Sequence, residues 1–172
     1  GAINLDNANN DVNTIAFVTT AAGAVEFTNV NGLSIGSVTA STCFTPLVNG
    51  ITSNSGLIYV TNETSGGVTV SQAVSAGGGS NVTLAAEEAG TDADLTINAN
   101  ILTTGGTGNI SLFAGDTIST NTTAVVSTVS TGAILVQAGT NYAGGTPVNG
   151  LAAGSGSTGY WATATPTAGA GS

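Results

Sequence analysis

The sequence contains no lysine, arginine or histidine in 172 residues, against nine acidic residues, giving a formal net charge of −9. Charged residues make up about a quarter of an average domain and 5% of this one, so the missing cations reflect exclusion and not sampling. A surface without positive side chains cannot neutralise phosphates, which removes nucleic acid as a partner. It also removes electrostatic attraction to anionic membrane surfaces. Without histidine or lysine the chain lacks the usual general base, the Schiff-base amine and the familiar triad partner, and no enzyme activity is expected of it.

Other absences narrow the class further. Methionine is missing and aromatics are only 5% of the chain, so the apolar 41% is mainly Ala, Val, Ile and Leu. β-branched residues of this kind suit short pleated strands. A single cysteine, Cys43, excludes a disulfide within the chain. With no histidine to activate it, Cys43 reads as a small buried residue, and in an exported chain the alternative is an intermolecular disulfide. No apolar run reaches the roughly 18–20 residues of a membrane-spanning helix. Position 1 is glycine and no basic segment precedes an apolar one, so the chain is expected to be a mature or excised piece of something longer. Its length suits one domain with a real core.

What is present is a short phrase, repeated. Ile3-Asn4-Leu5, Val25-Glu26-Phe27, Leu33-Ser34-Ile35, Ile58-Tyr59-Val60, Val68-Thr69-Val70, Val82-Thr83-Leu84, Leu95-Thr96-Ile97 and Ile110-Ser111-Leu112 each set two apolar residues around one other. That is the two-residue period of a strand with one buried face. The phrases usually follow Gly or Asn, and 26 glycines supply the turns between them. None has the length or the 3.6-residue period of an amphipathic helix.

Spacing decides among the β architectures. The starts Ile3, Val25, Ile58, Val82, Ile110 and Ile134 lie 22, 33, 24, 28 and 24 residues apart, a mean of about 26. A second series, Val12, Leu33, Val68, Leu95 and Ile118, falls between them at 21, 35, 27 and 23. Two interleaved series with one shared period predict a β-solenoid, a parallel β-helix of about six coils. Each strand then pairs with its equivalent in the next coil, about 4.8 Å along the axis, for a rod roughly 30 Å long. A β-sandwich or jelly roll is the alternative, since its strands also alternate. Neighbouring phrases copy one another, as in 79–86, 92–99 and 107–114, which a sandwich does not require. Residues 1–139 are assigned to the coils, with a loop insertion at 36–55 around Pro46. Residues 140–172 lose the repeat and are read as an irregular C-terminal cap or docking segment.

The stretch Gly56 to Gly139, about half the chain, resembles the coils of bacterial filamentous-haemagglutinin-type adhesins and related repetitive surface proteins. The phrases just cited carry the likeness, together with Gly105-Gly106-Thr107-Gly108. The resemblance implies a right-handed parallel β-helix, export, and a role in adhesion or surface filaments. The chain departs from that family in lacking every basic residue, and it shows no secretion-domain motif at its start.

Candidate sites are few. Glu87, Glu88, Asp92 and Asp94 gather four carboxylates in eight residues, a set of hard oxygen ligands suited to Ca²⁺. The plainer reading is a solvated turn that keeps the surface negative, and the absence of EF-hand or calcium-repeat spacing favours it. No other cofactor is indicated. Sequons stand at Asn62, Asn81, Asn109 and Asn121, as many as this Asn-, Ser- and Thr-rich composition produces by chance. Asn81, Asn98, Asn100 and Asn109, beside strand ends, are expected to satisfy turn backbones, with stacked Asn ladders as the alternative. Tyr160 and Trp161 are read as covering the open end of the core, or else as a sugar-stacking platform.

The first residues already read as a core strand, which makes Ile3 and Leu5 candidate interface residues at an open solenoid edge. The function expected is therefore a structural subunit or segment of an extracellular filament or cell-surface fibre. Its partner is further copies of itself, joined end to end. The alternative is an adhesin module that binds carbohydrate or a host or cell surface.

Overall fold

In a computed structural model of the chain, residues 1–39, 47–87, 92–129 and 131–139 are described, with short strands at 142–143, 146–147 and 161–164. Every regular element among them is a β-strand. The first circuit is β1 (Ile3–Leu5), β2 (Thr14–Ile15) and β3 (Phe17–Ala22). The second is β4 (Val25–Asn29) and β5 (Leu33–Ile35), a hairpin of β6 (Ser37–Val38) and β7 (Val48–Asn49), and then β8 (Ile51–Ser55). Next come β9 (Ile58–Asn62), β10 (Val68–Val70) and β11 (Val74–Ala76), followed by β12 (Val82–Ala86), β13 (Leu95–Ile97) and β14 (Ile101–Thr103). The fifth circuit is β15 (Ile110–Ala114), β16 (Ile118–Thr120) and β17 (Val126–Ser127), and β18 (Ile134–Ala138) begins a sixth.

Each circuit contributes one strand to each of three parallel sheets. Sheet A runs β1-β4-β9-β12-β15-β18, sheet B runs β2-β5-β10-β13-β16, and sheet C runs β3-β8-β11-β14-β17. The chain is therefore a parallel β-helix and not a sandwich. In sheet A the register joins Ile3 to Val25, Val25 to Ile58, Ile58 to Val82, Val82 to Ile110 and Ile110 to Ile134. These are the six positions that the spacing singles out.

The second series needs one correction. Leu33, Val68, Leu95 and Ile118 stack in sheet B, but Val12 does not head the column, because Thr14 pairs with Ser34 and Ile15 with Ile35. Val12 is 40% exposed, and both its backbone groups are held by the side chain of Asn29, at 3.0 and 3.1 Å. Asn29 thus pins the chain just before the strand starts. The insertion is also shorter than 36–55. Ile51–Ser55 pairs with β3 and β11 as a full member of sheet C, and only the β6–β7 hairpin projects.

Alternation along each strand sends Val, Ile and Leu inward, where they form one continuous cluster drawn from all three sheets. Ile35, Ile51, Ile58, Leu84, Leu95 and Ile110 are among its fully buried members. The last inward position of sheet C is small or hydroxylic instead, and the hydroxyls cap the next corner. Ser53 Oγ donates to Gly56 O at 2.8 Å, Thr103 Oγ1 to Gly108 O at 3.0 Å, and Thr128 Oγ1 to Gly132 O at 2.7 Å. These carbonyls belong to the turn from sheet C into sheet A, where backbone of successive circuits comes too close for any side chain.

Asx residues just before the strands tie one circuit to the next. Asn81 Oδ1 accepts the Asn109 N–H at 2.9 Å and Asn109 Oδ1 accepts that of Ala133 at 2.8 Å. Asn100 does the same for Val125, and Asp94 for Thr117. Beyond the helix, β19 (Tyr142–Ala143) and β20 (Thr146–Pro147) form a hairpin. Finally β21 (Trp161–Ala164) lies antiparallel on the outer edge of β18, with Gln137 opposite Trp161.

Candidate functional site

The connections from sheet A to sheet B form one corner of every circuit, and the charge of the molecule is collected there. Asp6 and Asp11 precede β2, Glu63 precedes β10, the segment 87–94 carries Glu87, Glu88, Asp92 and Asp94, and Asp116 precedes β16. Among the described acidic residues, Glu26 alone sits on a strand. With no basic side chain anywhere in the sequence, this corner is a line of carboxylates along the rod.

Beside it, on the outer face of sheet B, lies a shallow polar groove of about 430 Å³. Ser34, Thr69 and Thr96, the middle residues of three in-register strands, line one part of it. Successive strands place these hydroxyls about 4.8 Å apart along the axis. Gly32 and Gly67 contribute only backbone to the lining, Asn13 lies toward the first circuit, and Asp92 and Asp94 toward the fourth. Asp94 is fixed by accepting the Thr117 N–H at 3.0 Å. Asp92 is exposed, sits at φ 66°, and makes no side-chain hydrogen bond among the described residues.

Of the four candidate Ca²⁺ carboxylates, the fold parts Glu87 from Asp92 and Asp94. Glu87 is buried, 5% exposed, and accepts a hydrogen bond from Thr61 Oγ1 at 3.3 Å on the outer side of sheet A. Asp92 and Asp94 face the groove on sheet B, and Glu88 lies outside the described residues. Among the described residues, no three acidic, Cys or His side chains come together as a metal set. Near Glu87 the phenol of Tyr59 is pushed up to about 12, chiefly by burial and further by the carboxylates of Glu87 and Glu63.

The remaining predicted residues divide as follows. Asn62 is fully buried and its Nδ2 donates to the carbonyls of Ser65 and Gly66, so in the folded chain that nitrogen is closed to a glycan. Its Oδ1 is buried with no partner among the described residues. Asn81, Asn109 and Asn121 are exposed, and each uses Oδ1 to accept a backbone N–H. Ile3 is half-buried and Leu5 is 46% exposed at the first circuit. Trp161 opens β21, while Cys43 and Tyr160 lie outside the described residues. Of the groove residues, the sequence singles out Asp92 and Asp94, though as part of a calcium set, while Ser34, Thr69 and Thr96 stand out only as the polar centres of the second strand series. No family model, curated protein or solved structure matches this chain.

Proposed function

We propose that this chain is a rigid structural segment of an extracellular filament or cell-surface fibre, associating end to end through its solenoid edges. The observation that carries the reading is the unbroken in-register stack of sheet A from Ile3 to Ile134. A stack of this kind is a stiff spacer whose length grows with circuit number and whose stability is a sum of neighbour terms. Among the described residues, the outer edges of β16 and β17 at one end and of β1, β2 and β3 at the other have no strand partner. Unpaired edges accept further strands. The likeness to filamentous-haemagglutinin-type coils supports export and a surface location. The β21 strand covers only the sheet A edge, so growth at that end would engage sheets B and C or displace it. Electron microscopy of concentrated protein, with light scattering over a dilution series, tests the reading. Linear particles that lengthen with concentration are expected; a monomer at every concentration sinks self-association.

A second reading, an adhesin module that binds carbohydrate, is favoured by the groove on sheet B. Its lining is hydroxyl, amide and carboxylate, the groups that hydrogen-bond a polyol. Binding to immobilised oligosaccharides that is lost in Thr69→Val, with the fold intact, supports it.

A further inference from the structure

We propose that the sheet B groove binds an oligosaccharide carrying free amino groups. The proposal rests on the adhesin reading and specifies the sugar class. Two independent features of the groove set the ligand. The first is the line of Ser34, Thr69 and Thr96 on the unpartnered outer face of the sheet, which matches a chain of hydroxyl groups laid along the rod axis. The second is charge. Among the described residues, the only ionisable groups in the lining are the carboxylates of Asp92 and Asp94, and they belong to a corner where seven of the eight described acidic residues fall.

An anionic glycan is repelled by that corner, since no side chain here is positive. A neutral glycan would leave Asp92 unused and would find no aromatic ring among the described residues of the lining on which to stack. A basic peptide satisfies the carboxylates but has little use for a ladder of hydroxyls. Its backbone cannot add to a sheet presented face-on, because augmentation needs an edge. An amine-bearing sugar uses both parts. Its ammonium group lies between Asp92 and Asp94 in a charge-assisted contact, and its hydroxyls run over Thr96, Thr69 and Ser34. A second copy of this chain is excluded as occupant by its own charge.

Titration calorimetry on the full chain with a chitosan tetrasaccharide and its fully N-acetylated counterpart tests the assignment. The free-amine sugar should bind at least about tenfold more tightly, and Asp92→Asn with Asp94→Asn should weaken it by about tenfold or more. The amide side chain introduced at position 94 retains an oxygen acceptor for the Thr117 N–H, so that pair of changes leaves the circuit-to-circuit bond in place. Removing two charges elsewhere on the corner, Asp6→Asn with Asp11→Asn, should cost no more than about twofold. Equal loss in that control means diffuse attraction and overturns the proposal, as does equal affinity for the acetylated sugar. Binding of the acetylated sugar that Thr69→Val abolishes keeps the adhesin reading while discarding the amine. A lysine-rich peptide that binds as tightly as chitosan, indifferent to Thr69→Val, gives the groove to a basic protein instead. No binding of either sugar removes both.

Discussion

The carbonyl oxygen of Gly23 lies 2.2 Å from the point where a side-chain carbon on Gly56 would stand. Gly56 in turn sits two residues before the strand that pairs with the one Gly23 precedes, and the same relationship recurs at Gly108 over Ser80 and Gly132 over Gly108. Any side chain there would drive neighbouring circuits apart, against a spacing fixed by the strand ladders on all sides. Gly56→Ala and Gly108→Ala should each lower stability by about 1–3 kcal/mol, the usual cost of overpacking. Gly32→Ala is the control, because its nearest contact would be Gly67 O at an ordinary 3.8 Å, and it should be close to neutral. Urea unfolding midpoints decide the matter, and equal effects at positions 32 and 56 would disprove the close-approach account.

The Asx bridges are a second, separable source of order between circuits. Asn109 Oδ1 accepts the Ala133 N–H at 2.8 Å, and Asp94 makes the equivalent bond to Thr117 at 3.0 Å. Since an Asp already fills this role in the fourth circuit, Asn109→Asp should be tolerated. Asn109→Ala should cost about 0.5–1.5 kcal/mol, the net worth of one hydrogen bond. Hydrogen exchange at Ala133 gives the local readout: protection of that amide should fall in the alanine variant and persist in the aspartate variant.

Sheets A and B were legible from sequence because most of their strands keep an apolar residue at both inward positions, as in Ile58 and Val60 or Leu95 and Ile97. Sheet C was not. Its last inward residues are Ser53, Ala76 and Thr103; a template that demands two apolar residues passes over the strands ending in Ser53 and Thr103, and Ala76 is too small to mark its own strand clearly. Their smallness has a cause that only the folded chain displays, since Ser53 and Thr103 turn their hydroxyls onto the corner carbonyls of Gly56 and Gly108. The misplaced Val12 has a similar origin. Spacing alone put it at the head of a strand, whereas the amide of Asn29, seventeen residues away, holds it in the preceding turn. Only Asp92 and Asp94 drew attention from sequence; the groove itself was not legible because the rest of it is assembled across four circuits from residues that look like ordinary strand centres and turn glycines.

Core burial should be steeply graded from the middle of the rod to its first circuit. Leu84 is fully buried, with a side chain enclosed by the cluster, while Leu5 on the same sheet is 46% exposed. Leu84→Ala should therefore cost about 2–5 kcal/mol. Leu5→Ala, mostly outside the enclosed column, should stay near the range of about 0.5 kcal/mol typical of surface changes. If Leu5→Ala proves as costly as Leu84→Ala, Leu5 is covered in solution, which self-association through the first circuit would do.

The phenol of Tyr59 gives the fold an alkaline limit whose sign can be worked out. An ordinary tyrosine releases its proton near pH 10, whereas Tyr59 holds it to about 12, first because it is half-buried and then because Glu87 and Glu63 oppose a second negative charge beside them. Between those pH values the unfolded chain has lost this proton and the folded chain has kept it. Stability contributed by the neutral phenol is therefore complete below pH 10 and drains away as pH climbs toward 12. Absorbance at the phenolate band should show a late step in the folded state that Tyr59→Phe removes. The same substitution should flatten the fall of the urea midpoint across that interval. Glu87→Gln, by deleting the carboxylate with the larger effect while leaving burial in place, should bring the late step partway back toward its normal position. Normal titration of every phenol in the folded protein would show that Tyr59 is open to solvent and that the outer face of sheet A is not closed over it.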